Sequence, residues 1–258
     1  PPAGARRSGH THTERTPMSG ARIDPEHLVG ILGGMGPAAT ADFYAKLIRR
    51  TPASRDAEHL RVIIWADPTV PDRVAAVLAG STDPYPALRS GAGKLAMLGA
   101  TVVAMPCHTA HVYLDRLAAD SGLTFLDMVG ETVSYLAAAF PSGGVGILGT
   151  RATLHSGLYQ DRCAAKGIDT VLPTDPIQRV VDGAIAGVKS GDLSGAGAQL
   201  DAALRSMASR GAGTIVLACT ELPLARRNDD DPAPGGVLDP TDLLADAVVR
   251  HCLLARRA

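Results

Sequence analysis

Two cysteines each close a short apolar run. Cys107 lies in Val102-Val103-Ala104-Met105-Pro106-Cys107-His108-Thr109-Ala110-His111, and Cys219 in Ile215-Val216-Leu217-Ala218-Cys219-Thr220-Glu221-Leu222-Pro223. Each run reads as a strand that delivers a thiol at its C-terminal end, followed by a turn and a helix start. A thiol and a thiolate are an acid and a base whose balance is set by their surroundings. Two of them in matching contexts make an arrangement that can hold one small molecule between two proton-transfer groups. The match extends upstream. Gly30-Ile31-Leu32-Gly33 precedes the first cysteine and Gly146-Ile147-Leu148-Gly149 the second, at nearly the same spacing, so the chain reads as two related halves.

The elements that must position these thiols alternate along the chain. Strands are expected at Leu28–Leu32, Arg61–Trp65, Thr101–Met105, Val145–Leu148, Asp169–Leu172 and Thr214–Ala218, with a further strand or turn at Phe125–Asp127. Helices are expected at Pro37–Arg50, Tyr85–Leu98, Glu131–Ala139, Ser156–Lys166, Pro176–Lys189, Gly197–Ser209 and Asp242–Ala255, the last with Asp239 and Thr241 as capping candidates. Apolar, β-branched strands alternating with helices predict mostly parallel sheets covered on both faces. Ligands in such sheets bind beyond the strand C-termini, where both cysteines fall. The expected architecture is α/β, two pseudo-symmetric domains with the active site between them. The first domain is assigned residues 28–127 plus the C-terminal helix 239–258, and the second residues 128–238. Pro141-Ser142-Gly143-Gly144 is the clearest internal break. Residues 1–27, rich in Pro, Gly, Arg, Thr and His, are expected to be a disordered tail, with Met18 as a candidate natural start and a functional arm as the alternative.

Composition narrows the function classes. With 258 residues, 46% of them apolar, the chain can bury a substantial core. Its formal net charge of −1 favours neither a nucleic-acid backbone nor an acidic membrane surface. The longest mainly apolar run, Leu95 to Met105, is too short to cross a bilayer. Arg6 and Arg7 have no apolar segment behind them, so no secretory signal is expected. Four cysteines in a chain of this length do not make a disulfide framework, and a reducing cytoplasm is the expected compartment. Cys163 and Cys252 lack a matching context and are assigned to packing. Cys107, His108 and His111 have no fourth ligand at diagnostic spacing, so no metal is expected.

The loop Gly33-Gly34-Met35-Gly36-Pro37 joins the first strand to a helix that Pro37 is suited to start. Free N–H groups at such a helix start favour an anion. The spacing is neither that of a dinucleotide fingerprint nor that of a P-loop. A carboxylate-sized anion fits better than a pyrophosphate, and a tight turn without a ligand is the competing reading.

Taken in order, these motifs resemble those of the cofactor-independent aspartate racemases, in the aspartate/glutamate racemase superfamily. Gly30-Ile31-Leu32-Gly33-Gly34-Met35-Gly36-Pro37-Ala38-Ala39-Thr40 is similar to that family's opening. Pro106-Cys107-His108-Thr109-Ala110-His111 and Ala218-Cys219-Thr220-Glu221 are similar to its two cysteine motifs. Thr51–His59, Val70-Pro71-Asp72-Arg73 and Gly187-Val188-Lys189-Ser190-Gly191 also fit its pattern. The resemblance runs from Leu28 to the C-terminus. It implies racemisation without pyridoxal phosphate or any other cofactor, in a homodimer, with Cys107 and Cys219 exchanging the roles of base and acid. It also implies a dicarboxylic amino acid as the small-molecule partner, aspartate first. Arg73 and Lys189 would bind its distal carboxylate, and Gly34, Met35, His108, Thr109, Thr150, Thr220 and Glu221 would complete the substrate site.

Ordinary chemistry agrees with that scheme. Reaching both faces of one carbon takes two acid/base groups on facing domains. A free thiol has a pKa of about 8.5, so a thiolate near neutrality needs help, from a helix N-terminus or from a protonated His111 or His108. Backbone N–H groups around Gly34–Gly36, Thr109 and Thr220 are candidates to stabilise charge on the substrate carboxylate. Two departures from the family's pattern stand out: His108 replaces the usual Asn, and Ala66-Asp67-Pro68 replaces a more amide-rich stretch. Other readings stay open. A cysteine-using isomerase or decarboxylase of a maleate- or malonate-like acid needs the same loop, and a binding protein for a dicarboxylic amino acid needs Arg73 and Lys189 without two matched thiols. Arg73 by itself also fits a surface ion pair, and Asp229-Asp230-Asp231 a solvated loop or a lid.

Overall fold

The computed structural model describes residues 22–79, 83–139, 143–226 and 236–253. The first half runs β1 (Val29–Gly33), α1 (Pro37–Arg50), β2 (Val62–Ala66), α2 (Arg73–Ala79), α3 (Tyr85–Met97), β3 (Val102–Ala104), α4 (Leu114–Ser121) and β4 (Thr124–Leu126). It is followed by α5 (Met128–Ala139), and the second half repeats the plan. That half comprises β5 (Gly144–Gly149), α6 (Arg151–His155), α7 (Gln160–Ala164), β6 (Thr170–Val171), α8 (Asp175–Ser190), α9 (Leu193–Ser209), β7 (Ala212–Ala218), α10 (Leu222–Ala225), β8 (Val237–Leu238) and α11 (Pro240–Cys252). The strands form two four-stranded sheets, ordered β2-β1-β3-β4 and β6-β5-β7-β8, and every neighbouring pair is parallel. The two orders are the same order, so the expected pseudo-symmetric α/β architecture is the observed one.

Strand alternation sends successive side chains to opposite faces, and each sheet is buried on both. On one face of the first sheet, Val29, Ile31, Val102 and Ala104 pack against Phe43 and Leu47 of α1 and Leu244, Val248 and Cys252 of α11. On the other, Leu32, Val103 and Met105 meet Leu88 and Leu95 of α3 and Leu114 and Leu117 of α4, with Cys107 in the same cluster. In the second sheet, Leu148, Ile215, Leu217 and Cys219 pack on the α8–α9 hairpin. The opposite face, Val145, Ile147, Val216 and Ala218, is covered by Val129, Val133 and Leu136 of α5 together with Tyr159 and Cys163. The two cysteines therefore lie on equivalent faces. The last helix of each half crosses over: α5 covers the second sheet and α11 the first.

Several expectations change in detail. The helix expected over Ser156–Lys166 is confined to α7, Gln160–Ala164, because Gly157 at φ +70° is in a left-handed conformation that a helix cannot continue through, and the separate short helix α6 precedes it. The helix starts expected after the two cysteines are present as the turn Thr109–Tyr113 leading into α4 and as α10, while α2, at seven residues too brief to leave a periodic signature, was not expected. Ile23, assigned to the tail, pairs with Leu253 and packs on the first core, so residues 22–27 belong to the described fold. The helix expected to reach Ala255 ends at Cys252. Pro141, Ser142, residues 1–21 and Asp229–Asp231 lie outside the described residues. No helix among the described residues is long and apolar enough to cross a membrane.

A buried cation fastens the crossover. Lys46 on α1 donates to Asp42 at 2.5 Å, to Asp239 at 2.6 Å and to Thr241 at 2.7 Å, while Asp239 caps α11 by accepting from the Thr241 N–H. Burial lowers the affinity of Lys46 for its proton, but the two carboxylates more than offset it and the ammonium is held above its ordinary range. Replacing one partner of such a group strands the others in a poorly solvated site. The substitution Lys46→Met is expected to cost about 3–5 kcal/mol in denaturant unfolding, without loss of the parallel-sheet signature in circular dichroism. An unchanged unfolding midpoint would show that the network adds nothing.

Candidate active site

The cysteine loops and the helices beside them converge on one cavity of about 220 Å³. That is below the roughly 300–1,000 Å³ of pockets that take drug-sized ligands, and suits a small metabolite. The first half contributes Met35 from the β1–α1 loop, Val70 and Asp72 from the β2–α2 connection, Arg73 and Val74 from α2, and Cys107, His108 and Thr109 from the segment after β3. Thr150 after β5, Lys189 at the end of α8, and Cys219, Thr220 and Glu221 after β7 come from the second. All of them lie beyond strand C-termini or on crossover helices, as parallel sheets dictate. The cations have equivalent origins, Arg73 in the β2–β3 crossover and Lys189 in the β6–β7 crossover.

Both thiols are nearly enclosed, Cys107 with 6% and Cys219 with 5% of its surface exposed. Burial pushes each above the ordinary thiol range, but their neighbours differ. Beside Cys107, the Arg73 guanidinium pulls back towards thiolate. At Cys219 the Sγ–H donates to Glu221 Oε2 at 3.1 Å, and the Glu221 charge adds to the burial effect, with Lys189 opposing it. Glu221 is itself buried and lies close against Gly36, where a β-carbon would sit 3.1 Å from its Oε1. Arg73 donates from one terminal nitrogen to the carbonyls of Val70 and Pro71, at 2.9 and 3.0 Å, and its Nε is buried without a protein partner. It is not the surface ion-pair residue of the competing reading.

The segment after Cys107 is tied to the second half. Thr109 Oγ1 lies 3.0 Å from both Thr150 Oγ1 and Thr153 Oγ1, and Thr150 caps α6 by accepting from the Thr153 N–H. His111 Nδ1 lies 2.8 Å from the Cys107 carbonyl and its Nε2 accepts from the Met128 N–H at 3.3 Å. A carbonyl only accepts and an amide only donates, so this ring is neutral with its proton on Nδ1. Burial also holds both His108 and His111 below the ordinary histidine range. The expectation that a protonated histidine activates Cys107 is therefore corrected: Arg73 is the cation at that thiol.

Gly34 departs from the expected site as well. It stands at φ +91° with its α-carbon against the Asp67 backbone, and its N–H donates to Thr40 Oγ1 at 2.8 Å. Its amide is committed inside the turn, and Met35 is the loop residue that lines the cavity. Sequence reasoning missed Val70, Asp72 and Val74 as lining residues, although the Val70–Arg73 motif contains two of them. Among the described residues no group of three or more His, Cys, Asp or Glu side chains has the geometry to hold a metal ion.

Residues 32–248 match the family described as Asp/Glu/Hydantoin racemase. The chain belongs to that family. Within reach of this racemase-family chain, the broad specificity amino-acid racemase RacX of Bacillus subtilis is 29% identical over 228 residues, covering 86% of this chain and 96% of that protein. The aspartate racemase of Picrophilus torridus has 31% sequence identity and superposes with a TM-score of 0.79, covering 88% of this chain and 94% of that one. The Francisella tularensis glutamate racemase, solved with D-glutamate, shares the fold at 15% identity with a TM-score of 0.65, covering 88% and 81%.

The unequal neighbours of the two thiols are open to direct test. In the free protein Cys107 should alkylate with iodoacetamide several-fold faster than Cys219 at pH 8, as read by peptide mass spectrometry. Glu221→Gln removes the repelling charge and should raise the Cys219 rate roughly three- to tenfold, while leaving Cys107 much less affected. Equal rates in the wild-type protein, unchanged by Glu221→Gln, would dismiss the asymmetry.

Proposed function

We propose that this member of the racemase family interconverts the enantiomers of a small dicarboxylic amino acid, aspartate first, by two-base proton transfer between Cys107 and Cys219. The observation that carries the reading is that both thiols line one small cavity from equivalent positions in the two halves. One thiolate removes the α-proton, the electron pair delocalises into the α-carboxylate, and the opposite thiol delivers its proton to the other face of the carbon. The protein ends with the thiol and thiolate exchanged, so no cofactor enters the proton balance. Arg73, seated beside Cys107, offsets part of the burial that holds that thiol up, so Cys107 is the readier of the two to act as base. Cys219, donating to Glu221, is the acid.

Arg73 and Lys189 are the cations proposed for the distal carboxylate. The guanidinium suits that task because two of its nitrogens can engage both carboxylate oxygens at once. Thr109 and Thr220 are proposed to support the α-carboxylate, where charge grows as the proton leaves. A wider substrate range is the second reading. It is favoured by the apolar wall of Met35, Val70 and Val74 and by the likeness to the broad specificity racemase. A homodimer, which the family resemblance implies, belongs to the same proposal and is tested by sedimentation velocity.

The deciding experiment incubates the reduced protein in D2O with L-aspartate, then with a panel of L- and D-amino acids, and reads enantiomer and α-deuterium by chiral chromatography and mass spectrometry. Deuterated opposite enantiomer is the expected product. No exchange with any amino acid would return the isomerase and binding-protein readings to the front. Cys107→Ala and Cys219→Ala should each lower racemisation by at least about a thousandfold with the fold intact, and retained racemisation in either would end the two-base scheme. Because burial holds both thiols up, kcat/KM should climb with pH from 7, nearly tenfold per unit, and level only above the ordinary thiol pKa of about 8.5. A plateau already at pH 7 would mean that the base is ionised by something other than Arg73. Arg73→Leu removes both the cation beside Cys107 and the proposed partner of the distal carboxylate, so turnover of alanine should fall and that of aspartate should fall much further; equal losses would remove the distal-carboxylate role.

A further inference from the structure

Glu221 places a carboxylate in the wall of the cavity with 5% of its surface exposed. Among the described residues no lysine, arginine or histidine forms an ion pair with it. Its Oε2 accepts instead from the Cys219 Sγ–H at 3.1 Å and from the Thr220 hydroxyl at 3.4 Å. Two neutral donors are thin support for a buried carboxylate, which ordinarily takes a cation. Asp72, the other acid on the cavity, is exposed, and its Oδ1 accepts from the Val74 and Ala75 amides at the start of α2. The cavity's cations are placed elsewhere. Arg73 donates to the Val70 and Pro71 carbonyls beside Cys107, and Lys189 is exposed at the end of α8. His108 is held neutral by burial.

The proposed reaction strains this arrangement at one step. When Cys219 gives its proton to the α-carbon, a C–H bond forms and the S–H electron pair stays on sulfur. The sulfur that lies 3.1 Å from Glu221 Oε2 then faces that carboxylate as a thiolate, with no hydrogen between them. Like charges so close in a poorly solvated cavity oppose each other strongly. Cys107 has Arg73 to meet its charge, whereas at Cys219 the pull of Lys189 is smaller than the push of Glu221. Proton delivery brings Sγ to about 3–3.5 Å from the α-carbon, and the substrate's ammonium is bonded to that carbon. The ammonium and Glu221 Oε2 are thus neighbours of one sulfur. We propose that Glu221 seats the substrate's α-ammonium group, and that this ammonium is the counter-charge under which Cys219 carries a thiolate. The proposal rests on the reading of the substrate as an amino acid racemised by these two thiols. It makes the amine a condition of the chemistry as well as of binding. In the empty protein Glu221 keeps Cys219 a thiol; the two cysteines become more nearly equal once an amino acid is bound. A hydroxy acid of the same shape leaves the Glu221 charge uncompensated.

The test uses Cys107→Ala, in which Cys219 is the remaining thiol of the cavity, with the Cys107→Ala/Cys219→Ala protein as the blank for Cys163 and Cys252. Thiolate formation is followed by ultraviolet absorbance across pH, with saturating L-aspartate or L-malate, and affinities are read by calorimetry. With L-aspartate the Cys219 thiolate should appear at least about one pH unit lower than with L-malate, as one opposite charge in contact would produce. Glu221→Gln in the same background should lower the aspartate-to-malate affinity ratio about tenfold or more, the loss of one hydrogen bond between charged groups. Equal midpoints with the two ligands, or an affinity ratio that Glu221→Gln leaves unchanged, would overturn the proposal. The midpoints are read with Glu221 in place, so they decide the question even where Glu221→Gln does not fold. Both measurements are also independent of turnover: the two expected results, in a protein whose wild type exchanges no α-proton, would refute the proposed function and leave the ammonium seat standing.

Discussion

Everything at the cavity depends on the hydrogen bonds that cross from one half to the other. The two thiols, proposed to serve opposite faces of one carbon, belong to different sheets, and each sheet is held together by its own strand ladder. The segment after Cys107 is therefore bound to the second half at two places, through Thr109 to Thr150 and Thr153 and through His108 to Tyr159, and His111 ties it to the start of α5 through the Met128 amide. In the other direction, Glu221 rests against the first half at Gly36. These contacts are short and buried, where an unpaired group costs about 1–3 kcal/mol. They fix the spacing of the thiols more firmly than apolar packing, which tolerates small slides.

The electrostatics follow from the same enclosure. Excluding water from the cavity raises the cost of a thiolate at either cysteine, so the charges near each decide which one bears a proton. Arg73 on one side and Glu221 on the other make the halves chemically unlike although their topology is shared. In the proposed reaction, near-symmetry in the backbone supplies two faces of attack, while asymmetry in the side chains makes the two thiols unequal. The histidines contribute by being neutral. A second cation beside Cys107 would bias the pair further and impede the exchange of roles that the proposed reaction demands.

Much of this was legible in the sequence because its signals were local. The strand-plus-cysteine repeat and the Gly-Ile-Leu-Gly echo located the equivalent strands β1 and β5 and both thiols, and Pro37 and Asp239 marked helix starts that the structure retains. Legibility stopped where partners are remote. Nothing near Tyr159 announces its bond to His108, 51 residues away in the chain. Lys46 reads as one more helix cation until Asp239, 193 residues on, is brought beside it. The commitment of Gly34's amide to Thr40 was likewise hidden, since a glycine-rich turn looks the same whether its N–H groups face a ligand or the turn itself. The neutral state of His111 depends on a carbonyl and an amide, and backbone groups carry no residue-type signature.

The exchange of final helices has a consequence for how the molecule is made. The first sheet is complete in its strands once Leu126 has been synthesised, but one face remains open. Val29, Ile31, Val102 and Ala104 share that face with α11, whose residues are the last of the described chain to leave the ribosome. The helix made next, α5, cannot fill the gap because its apolar side is committed to strands not yet translated. Assembly is thus a closing loop in sequence: the end of the described chain must return to its beginning before the first core is dry on both faces. A chain that lacks α11 therefore leaves Val29, Ile31, Val102 and Ala104 open to water on that face.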